Sequence, residues 1–224
     1  MRKNILVSVS SLPAEKEIFD YVKKIESSAD FLHCDIMDGT VTPATSILNH
    51  IMVREINDRS TLPLDIHLMV RSPQKYVDKF IKSYANIITV HREYFDNDSQ
   101  VIETIKKIQK NKMIAGVAVD LPTDVKILDP ILAYCDLVLV MSVNIGASGQ
   151  KFDESAVEKV KYLANIRKEK DYKFLIEVDG GINNQNCSKL TKNGADILVS
   201  GSYVFNDTNS QQAIANLKKY FIKK

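Results

Sequence analysis

His33 and Asp35 stand two residues apart in the segment "FLHCDIMDGT" (31–40), with Met37 on the same parity and Leu32, Cys34 and Ile36 between them. In an extended strand every second side chain shares a face, so an imidazole and a carboxylate point together where an ordinary buried strand would be apolar. The spacing recurs: Asp65, His67 and Met69 alternate with Leu64, Ile66, Leu68 and Val70, and Glu177 and Asp179 alternate with Ile176 and Val178. Two imidazoles (His33, His67) and two carboxylates (Asp35, Asp179), each near the end of an apolar run, form a mixed nitrogen and oxygen donor set. Such a set suits one first-row divalent ion, Zn²⁺, Fe²⁺, Mn²⁺ or Co²⁺. A single inward histidine is more often a hydrogen-bonded structural group; four such groups converging on one rim point to an ion. Glycines form a second cluster, in "NIGASGQKF" (144–152), "DGG" (179–181) and "SGS" (200–202). Each alone reads as a tight turn. Three on adjacent loops read as an anion cradle built from backbone N–H groups.

These residues need a scaffold that brings them to one end. Apolar, β-branched runs at 5–10, 31–38, 63–70, 87–91, 113–120, 136–143, 173–180 and 197–205 alternate with amphipathic stretches. In "SAVEKVKYLANI", Ala156, Val157, Val160, Leu163 and Ala164 follow the helical period, and Ser155 with Glu158 fits a capping box. Ser72 and Pro73 mark another helix start, and Gly194 a helix end. Eight strand–helix units imply parallel strands and a closed α/β fold, a single-domain (β/α)8 TIM barrel over residues 1–224. A doubly wound sheet would carry a glycine-rich turn after its first strand, and "VSVSSLPAEK" has no glycine. In a barrel the catalytic groups lie at the C-terminal ends of the strands, and the loops after strands seven and eight often hold phosphate.

The 224 residues, 45% of them hydrophobic and 26% charged, suit one compact domain. A net charge of +2 with no basic run gives no reason to expect nucleic acid. No apolar run is long enough for a membrane span, and Ser8, Ser10 and Ser11 interrupt the N-terminal apolar stretch short of a signal core. Cys34, Cys135 and Cys187 show no CxxC spacing and read as reduced thiols of a cytoplasmic protein.

Taken in order, "HCDIMDG" (33–39), "LDIHLMV" (64–70), "VLVMSVNIGASGQKF" (138–152), "EVDGGI" (177–182) and "VSGSYVF" (199–205) resemble the ribulose-phosphate 3-epimerase family across nearly the whole chain. The resemblance implies an isomerase of carbohydrate metabolism, in the pentose phosphate pathway, binding one divalent metal ion and a small-molecule sugar phosphate, and forming a homo-oligomer. It implies His33, Asp35, His67 and Asp179 as metal ligands, with Asp35 and Asp179 also as the two proton-transferring carboxylates. Substrate contacts are implied for Ser8, His67, Met37, Met69, Met141, Gly146, Ala147, Ser148, Gly149, Gly180, Gly181, Gly201 and Ser202.

The implied reaction inverts the carbon beside a ketone, so a proton leaves one face and another arrives on the opposite face, through an enediolate. Strands two and seven lie on either side of strand one, which places Asp35 and Asp179 to act as base and acid. Asp65 shares the parity of His67 and is expected behind it or in a deeper structural role. The chain departs from the family pattern where substrate would be covered: "TVTPA" (40–44), "IGASG" (145–149), Arg92 and "VDLPT" (119–123). Ser148 replaces a lid glycine, and a positive φ there would cost about 1 kcal/mol. Ala147 in place of an aromatic leaves room for a six-carbon substrate. The alternatives are therefore a D-allulose-6-phosphate 3-epimerase or a non-catalytic sugar-phosphate-binding relative. A metal-dependent hydrolase on the same fold would need a His-x-His on its first strand, which "ILVSVS" lacks.

Overall fold

The computed structural model describes residues 4–219, so the outermost residues of the expected 1–224 domain lie outside the described residues. Eight parallel strands close into a barrel in sequence order: β1 (Leu6–Ser10), β2 (Phe31–Met37), β3 (Leu64–Met69), β4 (Ile87–His91), β5 (Ile114–Val119), β6 (Leu137–Met141), β7 (Leu175–Asp179) and β8 (Ile197–Ser200). Helices α1 (Ile18–Ile25), α2 (His50–Arg59), α3 (Gln74–Ile81), α4 (Asp98–Lys110), α5 (Ser155–Glu169), α6 (Cys187–Asn193), α7 (Ser202–Phe205) and α8 (Ser210–Lys218) complete the chain.

Alternation along each strand sorts side chains into two cores. Val7, Val9, Leu32, Cys34, Ile66, Leu68, Ile176 and Val178 face outward and pack with the helices. Inside, Ile87, Leu137, Leu139 and Ile197, with Leu6, Phe31, Ile114 and Leu175, form a separate apolar plug. The plug fills the N-terminal end of the barrel. In β1, β4 and β7 the inward positions grow more polar toward the C-terminus (Leu6, Ser8, Ser10; Ile87, Thr89, His91; Leu175, Glu177, Asp179), and with His33, Asp35, Asp65 and His67 they concentrate charge at one end.

Three local features differ from the sequence reading. Between β5 and β6 the chain makes two short 3₁₀ turns, Val125–Leu128 and Leu132–Tyr134, in place of an α-helix. Pro122, Asp124 and Pro130 punctuate that stretch and prevent a long helix from propagating. The eighth strand stops at Ser200, not 205. Val204 and Phe205 donate their N–H groups back to Gly201 O (3.0 and 2.9 Å), so residues 202–205 form α7. At the start of α5 the expected capping box does not form: Ser155 is the first helical residue, and its N–H donates to Asp153 Oδ1 at 2.8 Å. Gly194 ends α6 as expected, with φ of +115°.

Candidate active site

The register of β2 against β3 builds the centre. His33 is paired with Asp65, Asp35 with His67, and Met37 with Met69. On the other side of β1 and β8, Asp179 ends β7. Three strand steps separate β2 from β7, and their inward carboxylates meet over the two imidazoles.

His33 Nε2 lies 3.3 Å from His67 Nδ1, 3.5 Å from Asp35 Oδ1 and 3.7 Å from Asp179 Oδ2. His67 Nδ1 lies 3.3 Å from Asp35 Oδ1 and 3.8 Å from Asp179 Oδ2. Around an ion with bonds near 2.1 Å, tetrahedral ligand atoms are about 3.4 Å apart. The five separations bracket that value, and the four residues fit a divalent ion as a set.

Each ligand is held from behind. His33 Nδ1 is 2.6 Å from Asp65 Oδ2, to which Ser8 Oγ also donates at 2.8 Å. Asp65 therefore backs His33, and not His67 as its parity suggested, because the strand register sets His33 beside it. Glu177 is fully buried in the same layer, grouped with His33 and Asp65. Burial, and then the Asp65 charge, push its carboxyl well above the usual range. Ser8, expected at the substrate, is buried beneath the rim. Two residues of strand advance roughly 6.6 Å, and it is Ser10 that reaches the rim, where its Oγ donates to Asp35 Oδ2 at 3.0 Å.

The sequence reading also passed over His91, Glu93 and Asp120. His91 is fully buried, and its Nε2 lies 2.7 Å from His67 Nε2. Asp120 Oδ1 and Glu93 Oε2 approach its Nδ1 at 2.8 and 3.7 Å, too obliquely for straight hydrogen bonds. The signal was present: in "IITVH" His91 has the parity of Ile87 and Thr89, the inward positions of β4.

A cleft of about 530 Å³, part of it open to solvent, lies over this centre. Asp35 and Asp179 reach it, Met69 and Met141 wall it, and Gly146, Ala147, Ser148 and Gly149 cover one side. Gly180, Gly181, Gly201 and Ser202 line the adjoining edge. Met37 is buried beside Met69 and is not among the cleft residues. Residues 144–150 are tied by Gln150, whose Nε2 donates to Asn144 O (2.6 Å) and Ala147 O (2.9 Å). Positive φ falls on Gly146 and Gly149 and not on Ser148, so the strain anticipated at the serine does not arise. At Gly181 (φ +63°) a Cβ would stand 2.6 Å from the Phe152 nitrogen and 2.8 Å from Gln150 O. Only glycine lets β7's end pack against that loop.

The two rim carboxylates are driven apart. Burial opposes the charge on Asp35, but His33 and His67 outweigh it and hold the carboxyl well below the usual range. Burial and the Asp35 charge together outweigh His33 at Asp179 and raise it to about 7. Asp179 keeps 15% of its side chain exposed, in the cleft. One carboxyl held charged and one poised near neutral pH are what an acid and base pair needs.

The buried histidines make the ion-free protein sensitive to alkali. Burial works against the charged form of His91, but Asp120 and Glu93 outweigh it and raise it to about 9. His33, buried beside Asp65 and Asp35, is also raised. Between pH 6.5 and 9 the folded chain keeps protons that the unfolded chain releases, so stability falls as pH rises. The share of His91 is on the order of 3 kcal/mol. Urea unfolding of chelator-treated protein at pH 6.5 and 9 should show the loss, and His91→Gln should shrink it.

The parallel eight-stranded barrel thus brings two imidazoles and two carboxyls at its rim close enough to share one ion. The model of the ribulose-phosphate 3-epimerase family matches residues 5–205. The chain belongs to that family, whose members are epimerases acting on carbohydrates. It is 38% identical to the ribulose-phosphate 3-epimerase of Aquifex aeolicus (strain VF5), over 88% of this chain and 87% of that protein. It is 36% identical to the ribulose-phosphate 3-epimerase of Synechocystis sp. (strain ATCC 27184 / PCC 6803 / Kazusa), over 97% and 95%. Among solved structures, 3-hexulose-6-phosphate synthase from Salmonella typhimurium shares the fold, with a TM-score of 0.71 at 15% identity over 96% of this chain and 98% of that one. Among the described residues no helix is long and apolar enough to cross a membrane.

Proposed function

We propose that this chain interconverts D-ribulose 5-phosphate and D-xylulose 5-phosphate by two-aspartate proton transfer. The observation that carries the reading is the convergence of His33, Asp35, His67 and Asp179 at the rim of an epimerase-family barrel. His33 Nε2, His67 Nδ1, Asp35 Oδ1 and Asp179 Oδ2 would hold the ion. A divalent ion there (Zn²⁺, Fe²⁺, Mn²⁺ or Co²⁺) supplies Lewis-acid stabilisation of the negative charge that develops on the substrate's oxygens.

Asp35, charged and oriented by Ser10, takes the C3 proton from one face. Asp179, which burial raises to about 7, returns a proton to the opposite face, and the roles exchange in the reverse direction. The backbone N–H groups around residues 146–149, 180–181 and 201–202 receive the phosphate, which fixes the reacting carbon between the two carboxyls. Met69 and Met141 give the sugar an apolar wall and limit water.

The test is to incubate ion-loaded protein with D-ribulose 5-phosphate and, separately, D-allulose 6-phosphate. Faster epimerisation of the pentose supports the proposal. Preference for the hexose overturns the substrate assignment. Turnover of neither, with phosphate compounds still bound, assigns a binding role only.

A further inference from the structure

We propose that His91 is a positioning residue: when an ion is held at His67 Nδ1, the Nε2 of His91 accepts the Nε2–H of His67 and keeps His67 in the tautomer whose Nδ1 lone pair faces Asp35 and Asp179. The inference rests on the ion-binding reading above and concerns how this chain prepares one ligand.

A neutral imidazole can ligate through one nitrogen only if the other carries the proton. The two ligand histidines meet that condition differently. His33 offers Nε2, and the carboxylate of Asp65 sits 2.6 Å behind its Nδ1. His67 is turned the other way. It offers Nδ1, and behind its Nε2 stands another imidazole, 2.7 Å away.

At that distance two ring nitrogens share one proton; two N–H groups would collide and two lone pairs would repel. The rings are within 18° of coplanar, with centroids 4.9 Å apart. That separation is close to the N···N distance plus one ring radius from each side, which is an in-line hydrogen bond and not a face-to-face stack. Ligation at Nδ1 expels one proton from the His67–His91 pair and leaves the shared proton on His67 Nε2, so the Nε2 of His91 must then be bare and its own remaining proton must sit on Nδ1.

The surroundings of His91 select that arrangement. Its Nδ1 meets the carboxylate oxygens of Asp120 at 2.8 Å and Glu93 at 3.7 Å, which favour an N–H facing them. Both acids are fixed in turn. Glu93 Oε1 accepts the Asp120 N–H at 2.8 Å, and Asp120 Oδ2 accepts from Tyr94 Oη at 3.1 Å. His91, Glu93 and Asp120 could also gather round an ion of their own. However, Lys159 Nζ donates to Asp120 O and Leu121 O, both at 2.7 Å, and already sets a positive charge beside the pair.

The test titrates ion-free wild-type chain, His91→Phe and His91→Gln with Co²⁺ against a chromophoric chelator, and follows thermal unfolding of each ion-free form. Phenylalanine fills the space of the ring but accepts nothing; glutamine can accept through its amide oxygen. Loss of a hydrogen-bonding partner behind a ligand histidine typically weakens binding 10- to 100-fold. His91→Phe is expected to show that loss, and His91→Gln to recover most of it.

Affinity unchanged in His91→Phe, or lowered equally in both variants, overturns the proposal. Two Co²⁺ per chain, falling to one in Asp120→Ala, overturns it in favour of an ion at His91. Should His91→Phe not fold, Asp120→Ala carries the comparison, with up to tenfold weaker binding expected and unchanged binding contradicting the inference. A wild-type chain that binds no Co²⁺ would overturn the ion-binding reading itself, and this inference with it.

Discussion

Asp179→Asn in the ion-loaded protein is expected to lower turnover by about 10³- to 10⁴-fold, and Asp35→Asn by as much, the range associated with losing a positioned acid or base. Asparagine matches aspartate in shape, so the cleft should survive. It cannot carry a proton between substrate and solvent. The two substitutions should differ in a second respect. With Asp179 replaced, Asp35 still faces one epimer and should exchange the C3 hydrogen of that epimer with solvent without inverting it. With Asp35 replaced, exchange should pass to the other epimer. Proton NMR of each sugar phosphate in D₂O reads this directly. Turnover surviving in either variant removes that residue from the reaction.

The second large effect is on stability. His33→Ala is expected to destabilise the protein by roughly 3–5 kcal/mol, the cost of stripping a buried charge of its partner. His33 and Asp65 are both fully buried and 2.6 Å apart, and Glu177 crowds the same layer. Without the imidazole, the Asp65 carboxylate loses its charged partner and keeps the Ser8 hydroxyl as a donor. Adding Asp65→Asn to His33→Ala should therefore restore part of the loss, since the stranded charge is gone and Ser8 can still donate. Urea unfolding of the single and double variants is the measurement. If the double variant is less stable than His33→Ala alone, the loss comes from the cavity and not from the charge.

Much of this was legible in the sequence because barrel strands have a period of two. Parity placed His33, Asp35, His67 and Asp179 inward, and polar residues at strand ends marked the rim. Parity says nothing about height: Ser8 and Ser10 share a face, yet Ser8 is buried against Asp65 and Ser10 reaches Asp35. It also leaves the neighbour across the barrel open. Parity allows Asp65 a place behind His67 or a deeper structural role, and the register pairs it with His33.

His91 was missed for a different reason. It is one of two polar residues in "IITVH", and its meaning comes from Glu93 and Asp120, which reach it from the loops that follow β4 and β5. The eighth strand was drawn too long because "SGSYVF" is apolar enough for a strand. The backbone of Gly201 ends the ladder and lets its carbonyl start α7.

The most direct test of the central claim runs wild-type, ion-loaded protein on D-ribulose 5-phosphate in D₂O and examines C3 of the D-xylulose 5-phosphate formed. Two carboxyls acting from opposite faces predict one deuterium at that carbon in every product molecule from the first turnover. Product that keeps the substrate's own hydrogen at C3 would contradict the account.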